Sequence, residues 1–453
     1  MSSSSLNLAA RLVPHEPLVM TARGSWSGEE LLAATAHPSL QTALAFPAVA
    51  LWFHDPLKLA LSLIALDGLT KRLLLIPAEA PTQAIAALLT SFGGHMLLTD
   101  EPFYDGADGR QILWPELVSL PKTGQRPPLS EQGKTEWIFT TSGTTGAPKL
   151  VAHSLGSLSR TIRTAGSSLC WGQTSDAARF AGMQVFLHAV LGGGSIVMPP
   201  FGTKLSDRLA FFHKHRCNAI SATPTLWRKI VMTPGHEQLN LIQITLGGEI
   251  ADEAILRELK RCYPQARITH VYASTEAGAA FSVQDGQAGF PLRFLNQDQG
   301  GVDVKVVEGR LFVRTREGAL NYVNSDAIFS DTDGFVDTGD LVQVTENRCL
   351  FIGRVNGSIN IGGNKLHPQQ VETILLSLPE VAAARVFSKA NAITGQIIVA
   401  EIVPKNLDTD ANLLKRRMRE ACLAGLERWQ VPGIIKIVPE LDVNSSHKLS
   451  RSY

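Results

Sequence analysis

The stretch EWIFTTSGTTGAPK, residues 136–149, limits most strongly what this chain can fold into. Aromatic and β-branched residues at 137–141 read as a strand. The strand runs without a polar break into a loop holding Gly143, Gly146 and Pro148. Upstream, KRLLLIP (71–77) and HMLLTD (95–100) read as strands around the helical PTQAIAALLTSFGG (81–94). Downstream the alternation resumes with strands in GSIVMPP (194–200), CNAISATP (217–224), LIQITLGGE (241–249) and RITHVYASTEAG (267–278). Helices fall between them at DRLAFFHKHR (207–216) and ADEAILRELKRCYP (251–264). A chain that alternates strand and helix in this way builds parallel sheets flanked by helices. HSLGSLSRTIRTAGSSL (153–169) is expected to continue as a helix after the glycine-threonine loop, and Ala251–Asp252–Glu253 to place acids in a first helical turn.

From Gly301 the pattern changes to short strands and turns, VDVKVVEGRLFVRT (302–315) and GFVDTGDLVQVTENRCLFIGR (334–354), expected as an antiparallel sheet closing the large unit. The remainder predicts helices in PQQVETILLSL (368–378) and LLKRRMREACLAGL (413–426), with strands in VAAARVF, IIVAEIVP and GIIKIVP. The expected fold class is α/β. A large N-terminal domain over 1–354 has mixed and parallel sheets flanked by helices plus a small antiparallel sheet. A small α+β C-terminal domain covers 355–453. SLPKTGQRPPLSEQGK (119–134) reads as a surface connection.

Composition excludes several classes of function. With 42 basic and 41 acidic residues there is no electrostatic reason to expect nucleic acid or an acidic membrane as partner. The apolar stretch ALAFPAVALWF (43–53) is interrupted by Pro47 and too short to span a bilayer. Five dispersed cysteines suit a reducing compartment better than a disulfide framework. MSSSSLNLAARL lacks the basic and apolar regions of a secretory signal, so the cytoplasm is the expected location.

Glycines let a loop backbone approach phosphates, and threonine hydroxyls can grip the oxygens. The Walker A pattern nevertheless fails. It requires four residues between its glycines and Lys-Ser/Thr directly after the second, whereas two separate Gly143 from Gly146, and Pro148 and Leu150 flank Lys149. In order after TTSGTTGAPK come VYASTEAG (271–278), DTGDL (337–341), GRVNGSINIGGNKLHPQQVE (353–372) and SSHKLSR (445–451). This ordered set resembles the motifs of the adenylate-forming enzymes: acyl-CoA synthetases, aryl-CoA ligases and peptide-synthetase adenylation domains. The match extends from Thr140 to the C-terminus.

The resemblance implies that a carboxylate attacks the α-phosphate of ATP, pyrophosphate leaves, and the acyl group passes from the mixed anhydride to a thiol. It implies Thr141, Ser142, Gly143, Thr144, Thr145, Gly146 and Lys149 around the β- and γ-phosphates, with Thr144 contributing to catalysis. Glu276 matches the Mg²⁺-associated glutamate and Thr275 a phosphate-contacting hydroxyl, with Ala273 and Ser274 beside them. Tyr272 matches the aromatic against adenine, and Gly248 and Glu249 fall on the nucleotide side. Asp340 is suited to accept two ribose hydroxyls, with Ile352 and Arg354 as its neighbours. Lys448 matches the catalytic lysine, an ammonium able to hold carboxylate and α-phosphate in a near-attack arrangement. The family usually has glycine directly before it, and this chain has His447.

Asn356 falls at the family's hinge, where Asp or Lys is usual, and Gly357 adds backbone freedom. Gly362 and Gly363 resemble the glycines of the pantetheine tunnel. Amino-acid-activating relatives carry an Asp directly after a Phe, and here Ala181 follows Phe180. A buried substrate ammonium would go unpaired, so a plain carboxylic acid, aliphatic or aromatic, is expected. Phe180, Ala181, Met183, Gly247, Ala277 and Gly278 are candidate pocket residues.

The implied cofactors are ATP, Mg²⁺, and CoA or phosphopantetheine. The expected partners are a small-molecule carboxylic acid and CoA or an acyl carrier protein supplied in trans, with no nucleic acid, no membrane span and a monomer or homodimer. Two other readings remain open: an acyl-AMP ligase dedicated to a carrier protein, and a catalytically silent sensor of nucleotide or acyl ligand.

Overall fold

The structure is a computed structural model, and it describes residues 7–12, 17–94, 96–102, 110–114, 134–141, 149–163, 168–295, 297–325, 330–361, 364–391, 395–406, 408–444 and 448–449. Among the described residues, an eight-stranded sheet runs from Gly278–Val283 through Arg267–Ser274, Gln243–Gly247, Ala219–Ala222, Cys170–Gly172, Ser195–Met198 and Val19–Thr21 to Gly24–Trp26. Only its two outermost pairings are antiparallel. A seven-stranded sheet runs from Asn321–Tyr322 through Leu150–His153, Glu136–Thr140, Arg72–Ile76, Ala48–Trp52 and Met96–Thr99 to Arg110–Leu113. It is parallel from Glu136–Thr140 outward. The expected α/β class with parallel sheets is therefore present.

The two sheets share a core through helices that are apolar almost all round, as burial on both sides requires. Pro56–Leu66 begins with proline at its first position and Asp55 accepting from Leu57 N–H. Phe180–Gly192 ends at Gly193 in a left-handed conformation. Its entry depends on Gly182, where a Cβ would lie 2.0 Å from the Asp176 carbonyl oxygen. Gly182→Ala should therefore lower the urea midpoint by the equivalent of about 3 kcal/mol, the upper range for overpacking. An unchanged midpoint would contradict this packing.

The third sheet has five antiparallel strands, ordered Phe290–Pro291, Arg348–Arg354, Val336–Val344, Arg310–Thr315 and Val302–Val307. It closes the large unit as expected. Beyond it, Pro368–Ser377 and Ala411–Gly425 cover a three-stranded sheet of Val381–Asn391, Gly395–Pro404 and Ile434–Ile437 around a separate core that includes Leu366, Val371, Leu414 and Met418.

Two local expectations need correction. After the glycine-threonine loop, His153 still belongs to a strand and the helix covers only Leu155–Ser159. Ser154 caps it through a reciprocal box with Ser157, and β-branched Thr161 and Ile162 follow. Asp252 is not inside its helix but is the N-cap, accepting from Ala254 and Ile255 N–H, which leaves Glu253 as the acid of the first turn. All five cysteines are free, although the sulfurs of Cys170 and Cys217 lie 4.0 Å apart. No helix among the described residues is long and apolar enough to cross a membrane.

Candidate active site

The strands Glu136–Thr140 and Leu150–His153 form an antiparallel hairpin whose connection is the glycine-threonine loop. Its base is closed by Thr141 N–H donating to the Lys149 carbonyl at 2.9 Å. Thr141 and Lys149 therefore stand together at the two ends of the loop. Ser142, Gly143, Thr144, Thr145 and Gly146 lie outside the described residues, as do Gly362, Gly363 and His447. Lys149 places its ammonium 4.7 Å from the centre of the Tyr322 ring. The Tyr322 hydroxyl in turn lies 3.4 Å from Glu276 Oε1.

Glu276 sits in the turn between the strands Arg267–Ser274 and Gly278–Val283. Ser274 Oγ accepts from Ala277 N–H at 2.9 Å, and Thr315 Oγ1 donates to the Ala277 carbonyl at 3.1 Å. Gly278 has φ +74, and a Cβ added there would meet nothing within 4 Å. The turn is thus pinned on both sides of a carboxylate that is a hard oxygen donor of the kind Mg²⁺ takes. No group of three or more metal-type side chains occurs among the described residues. The donor set fits a magnesium ion bound by one carboxylate plus phosphate oxygens rather than by a protein cage.

On the strand before that turn, Tyr272 donates to Asp340 Oδ2 at 2.5 Å, and its ring lies parallel to those of Phe281 and Phe351. Burial and the Asp340 charge push the Tyr272 phenol well above its ordinary value, so it remains a neutral donor. Asp340 lies opposite Arg354 in the sheet, and Arg354 Nε is 3.1 Å from Asp340 Oδ1. The Arg354 guanidinium also donates to the Thr338 carbonyl at 2.7 Å. Burial raises Asp340 above the usual carboxylate value despite Arg354, Tyr272 and Lys448 beside it. The Tyr272 hydroxyl thus donates to one carboxylate oxygen while the Arg354 guanidinium forms an ion pair with the other.

Lys448 comes to this same place from the end of the chain. A Cβ on Gly248 would stand 3.0 Å from Lys448 Cε and 3.3 Å from its Nζ, so the lysine stem lies directly over that glycine. Gly248 also has φ +78, and the two demands together call for glycine here. Glu249 anchors the segment, accepting from Leu449 N–H at 3.0 Å with one oxygen and from Thr225 N–H at 3.0 Å with the other. Asn444 Oδ1 accepts from Lys448 N–H at 3.0 Å. Burial lowers the Lys448 ammonium below its ordinary value. Glu249 and Asp340 oppose that shift, while Arg354 and Arg179 add to it.

The ammonium form of Lys448 is lost as pH rises through this lowered value. Glu249→Gln removes the largest opposing charge, so the basic limb of any Lys448-dependent reaction should move to lower pH. A pH–rate profile unchanged on that limb would break the link between the two residues.

The remaining expected residues are placed as follows. Ile352 is half-buried in the strand ending at Arg354, and Asn356 is exposed in the single turn Val355–Gly357 just after it. Phe180 opens its helix against Phe139 and His153, while Ala181 beside it is exposed. Met183 is fully buried in the core shared by the two sheets, and Ala277 is buried in the separate cluster that includes Phe281. Gly247 ends its strand, 3.6 Å from the Val271 carbonyl measured at its ideal Cβ.

Sequence reasoning missed three partners. Arg179, directly before Phe180, makes a two-nitrogen contact with Glu79. Asp176 accepts from Ala78 and Ala178 N–H, locking the two loops that carry that ion pair, and burial pushes it up to about 6. His153 contacts the Thr275 carbonyl. A charged residue next to a named pocket position was the available signal for Arg179. No local signal marked the other two.

The chain from 72 to 323 matches the family model described as AMP-binding enzyme, and residues 370–448 match that of the AMP-binding enzyme C-terminal domain. A 2-succinylbenzoate–CoA ligase of Bacillus cereus is 26% identical over 387 residues, covering 78% of this chain and 77% of its own. A solved anthranilate CoA ligase in complex with anthranoyl-AMP superposes with a TM-score of 0.79 at 16% identity, covering 98% of this chain and 94% of its own. The o-succinylbenzoate CoA synthetase of Bacillus subtilis, solved with its acyl-adenylate, gives 0.75 at 21% identity, covering 97% and 95%. With more than half its length matched by one family model and the fold shared throughout, the chain belongs to the AMP-binding enzyme family.

Proposed function

We propose that this protein is an ATP- and Mg²⁺-dependent ligase that joins a carboxylic acid lacking an α-ammonium to the thiol of coenzyme A, through an acyl-adenylate. The observation that carries the reading is Lys448. The half-buried Lys448 lies over Gly248, within electrostatic reach of Asp340, Arg354 and Arg179. Burying an ammonium costs free energy unless anions compensate. A site that gathers cations and keeps Asp340 beside them suits a ribose on one side and an α-phosphate with a carboxylate on the other.

In the first half-reaction the acid's carboxylate oxygen forms a bond to the α-phosphorus, and the bond from that phosphorus to the bridging oxygen breaks with release of pyrophosphate. Lys448 holds the two anions together, Asp340 orients the ribose, and Thr141 and Lys149 flank the departing phosphates. Mg²⁺, when bound at Glu276, supplies positive charge against the phosphate oxygens. In the second half-reaction the thiol sulfur attacks the acyl carbon and AMP leaves. This step requires Lys448 to withdraw, and a swing about Asn356 of the small C-terminal unit supplies that motion.

The cation-rich surroundings, with Ala181 where amino-acid-activating enzymes carry Asp, support an acid without a nearby ammonium. The names of the relatives support an aromatic or short aliphatic acid and CoA as acceptor. The test is pyrophosphate release with a panel including 2-succinylbenzoate, anthranilate and propionate, followed by mass spectrometry of products with CoA and with a holo-carrier protein. Turnover with a plain acid and a CoA thioester product supports the reading. No pyrophosphate with any acid despite tight ATP binding supports the silent sensor, and a product on the carrier alone supports the carrier-dedicated ligase.

A further inference from the structure

His153 is the last residue of the strand that leaves the glycine-threonine loop, and it is completely buried. Its Nε2 lies 2.7 Å from the Thr275 carbonyl oxygen, across from the seven-stranded sheet to the turn that carries Glu276. A carbonyl can only accept, so Nε2 carries the proton. Nδ1 lies 3.1 Å from Ser157 Oγ, the hydroxyl that also closes the capping box with Ser154. The ring is held edge-on to Phe139 and tilted against Phe180. Burial outweighs the Thr275 carbonyl's support for a charged ring and lowers His153 to about 4. One tautomer of a neutral ring, fixed by packing on its faces, therefore joins the phosphate-loop hairpin to the Glu276 turn.

From these contacts we propose that His153 is a positioning residue for Glu276, setting the carboxylate's place relative to the phosphate loop through the Thr275 carbonyl. The inference rests on the ligase reading for its consequence, though not for its geometry. Three ties bear on the two sides of the turn. Tyr322 reaches Glu276 and stands under Lys149, and Thr315 holds Ala277. His153 is the tie on the N-terminal side of Glu276, and it comes from the same strand as Lys149's neighbour Leu150. A shift of the loop hairpin is passed by a direct hydrogen bond from the fully buried ring to the Thr275 carbonyl, one residue before the carboxylate, and losing it leaves that carbonyl without this donor.

The test compares His153→Phe with His153→Gln. Phenylalanine keeps a ring between Phe139 and Phe180 but cannot donate, whereas the glutamine amide reaches a position near Nε2 and can donate to Thr275. Calorimetric titration with ATP at increasing Mg²⁺ is expected to show a roughly tenfold weaker Mg²⁺ dependence for the Phe variant, the lower range for loss of a group supporting a metal ligand. With an active acid, kcat should fall in the same variant while KM for the acid is unchanged. The Gln variant should recover most of both, which a purely structural role would not produce. A Phe variant with wild-type Mg²⁺ dependence, or a Gln variant as impaired as Phe, overturns the inference alone. A wild-type protein that shows no Mg²⁺-dependent ATP binding overturns the ligase reading and this inference with it.

Discussion

Lys448→Ala is expected to remove nearly all acid-dependent exchange of pyrophosphate into ATP, by roughly 10²–10³-fold, the loss typical when one preorganised charge is taken from developing negative charge. The stem of Lys448 lies over Gly248, and its ammonium feels Glu249 and Asp340 as anions and Arg354 and Arg179 as cations. Alanine removes the ammonium while the backbone remains held by Asn444 and Glu249. The fold should therefore survive, with a melting temperature close to that of the wild type. Transfer of a chemically supplied acyl-adenylate to CoA should be much less affected, because the proposed mechanism withdraws the lysine in that half-reaction. Full retained exchange would refute the role, and equal loss of both half-reactions would refute the withdrawal.

Asp340→Ala is expected to weaken ATP binding by about a hundredfold. A hydrogen bond to a charged group is worth about 1.5–3 kcal/mol, and two ribose hydroxyls are at stake. The same substitution leaves the Tyr272 hydroxyl and Arg354 Nε without the carboxylate that they contact at 2.5 and 3.1 Å. Part of any loss will therefore come from rearrangement of those two groups. The comparison that separates the causes uses an ATP analogue lacking both ribose hydroxyls. Wild-type protein should discriminate against it strongly, and the Ala variant should hold ATP and the analogue alike. Undiminished discrimination in the variant would remove Asp340 from the ribose.

Much of the architecture is legible because it is written in local periodicity. Apolar runs such as Arg72–Ile76 and Met96–Thr99 become strands that are buried on both faces, as parallel sheets demand. The helix expected over 153–169 fails because the same residues offer competing local solutions. Serine side chains close a five-residue capped turn, and His153 is drawn into the sheet by pairing with Trp137. Asp252 shows the same competition on a smaller scale. An acid near a helix start suits either the cap or the first turn, and its contact with Arg228 accompanies the cap position.

Within the site, the joint order of short motifs nominated Glu276, Asp340, Arg354 and Lys448, since each stretch alone reads as an ordinary cap, turn or surface charge and only the ordered set carries the resemblance. The contacts among them were not legible. Sequence assigns Tyr272 to a base, yet its hydroxyl is engaged by Asp340 and its ring lies parallel to two phenylalanines. Arg179 with Glu79 and His153 with Thr275 join residues about a hundred or more positions apart, and no periodicity records such pairs.

By itself, then, the sequence determined the α/β alternation, the antiparallel closure after Gly301, the family, and the residue types that a phosphate-handling site requires, because these depend on neighbours within a turn or a strand. Tertiary structure alone decided that Lys448 lies over Gly248, that a half-buried Asp340 is held between the Tyr272 hydroxyl and Arg354, and that a neutral histidine bridges the loop hairpin to the Glu276 turn. Those outcomes depend on desolvation and on hydrogen bonds across long loops, and their strength is set only when the sheets close around them.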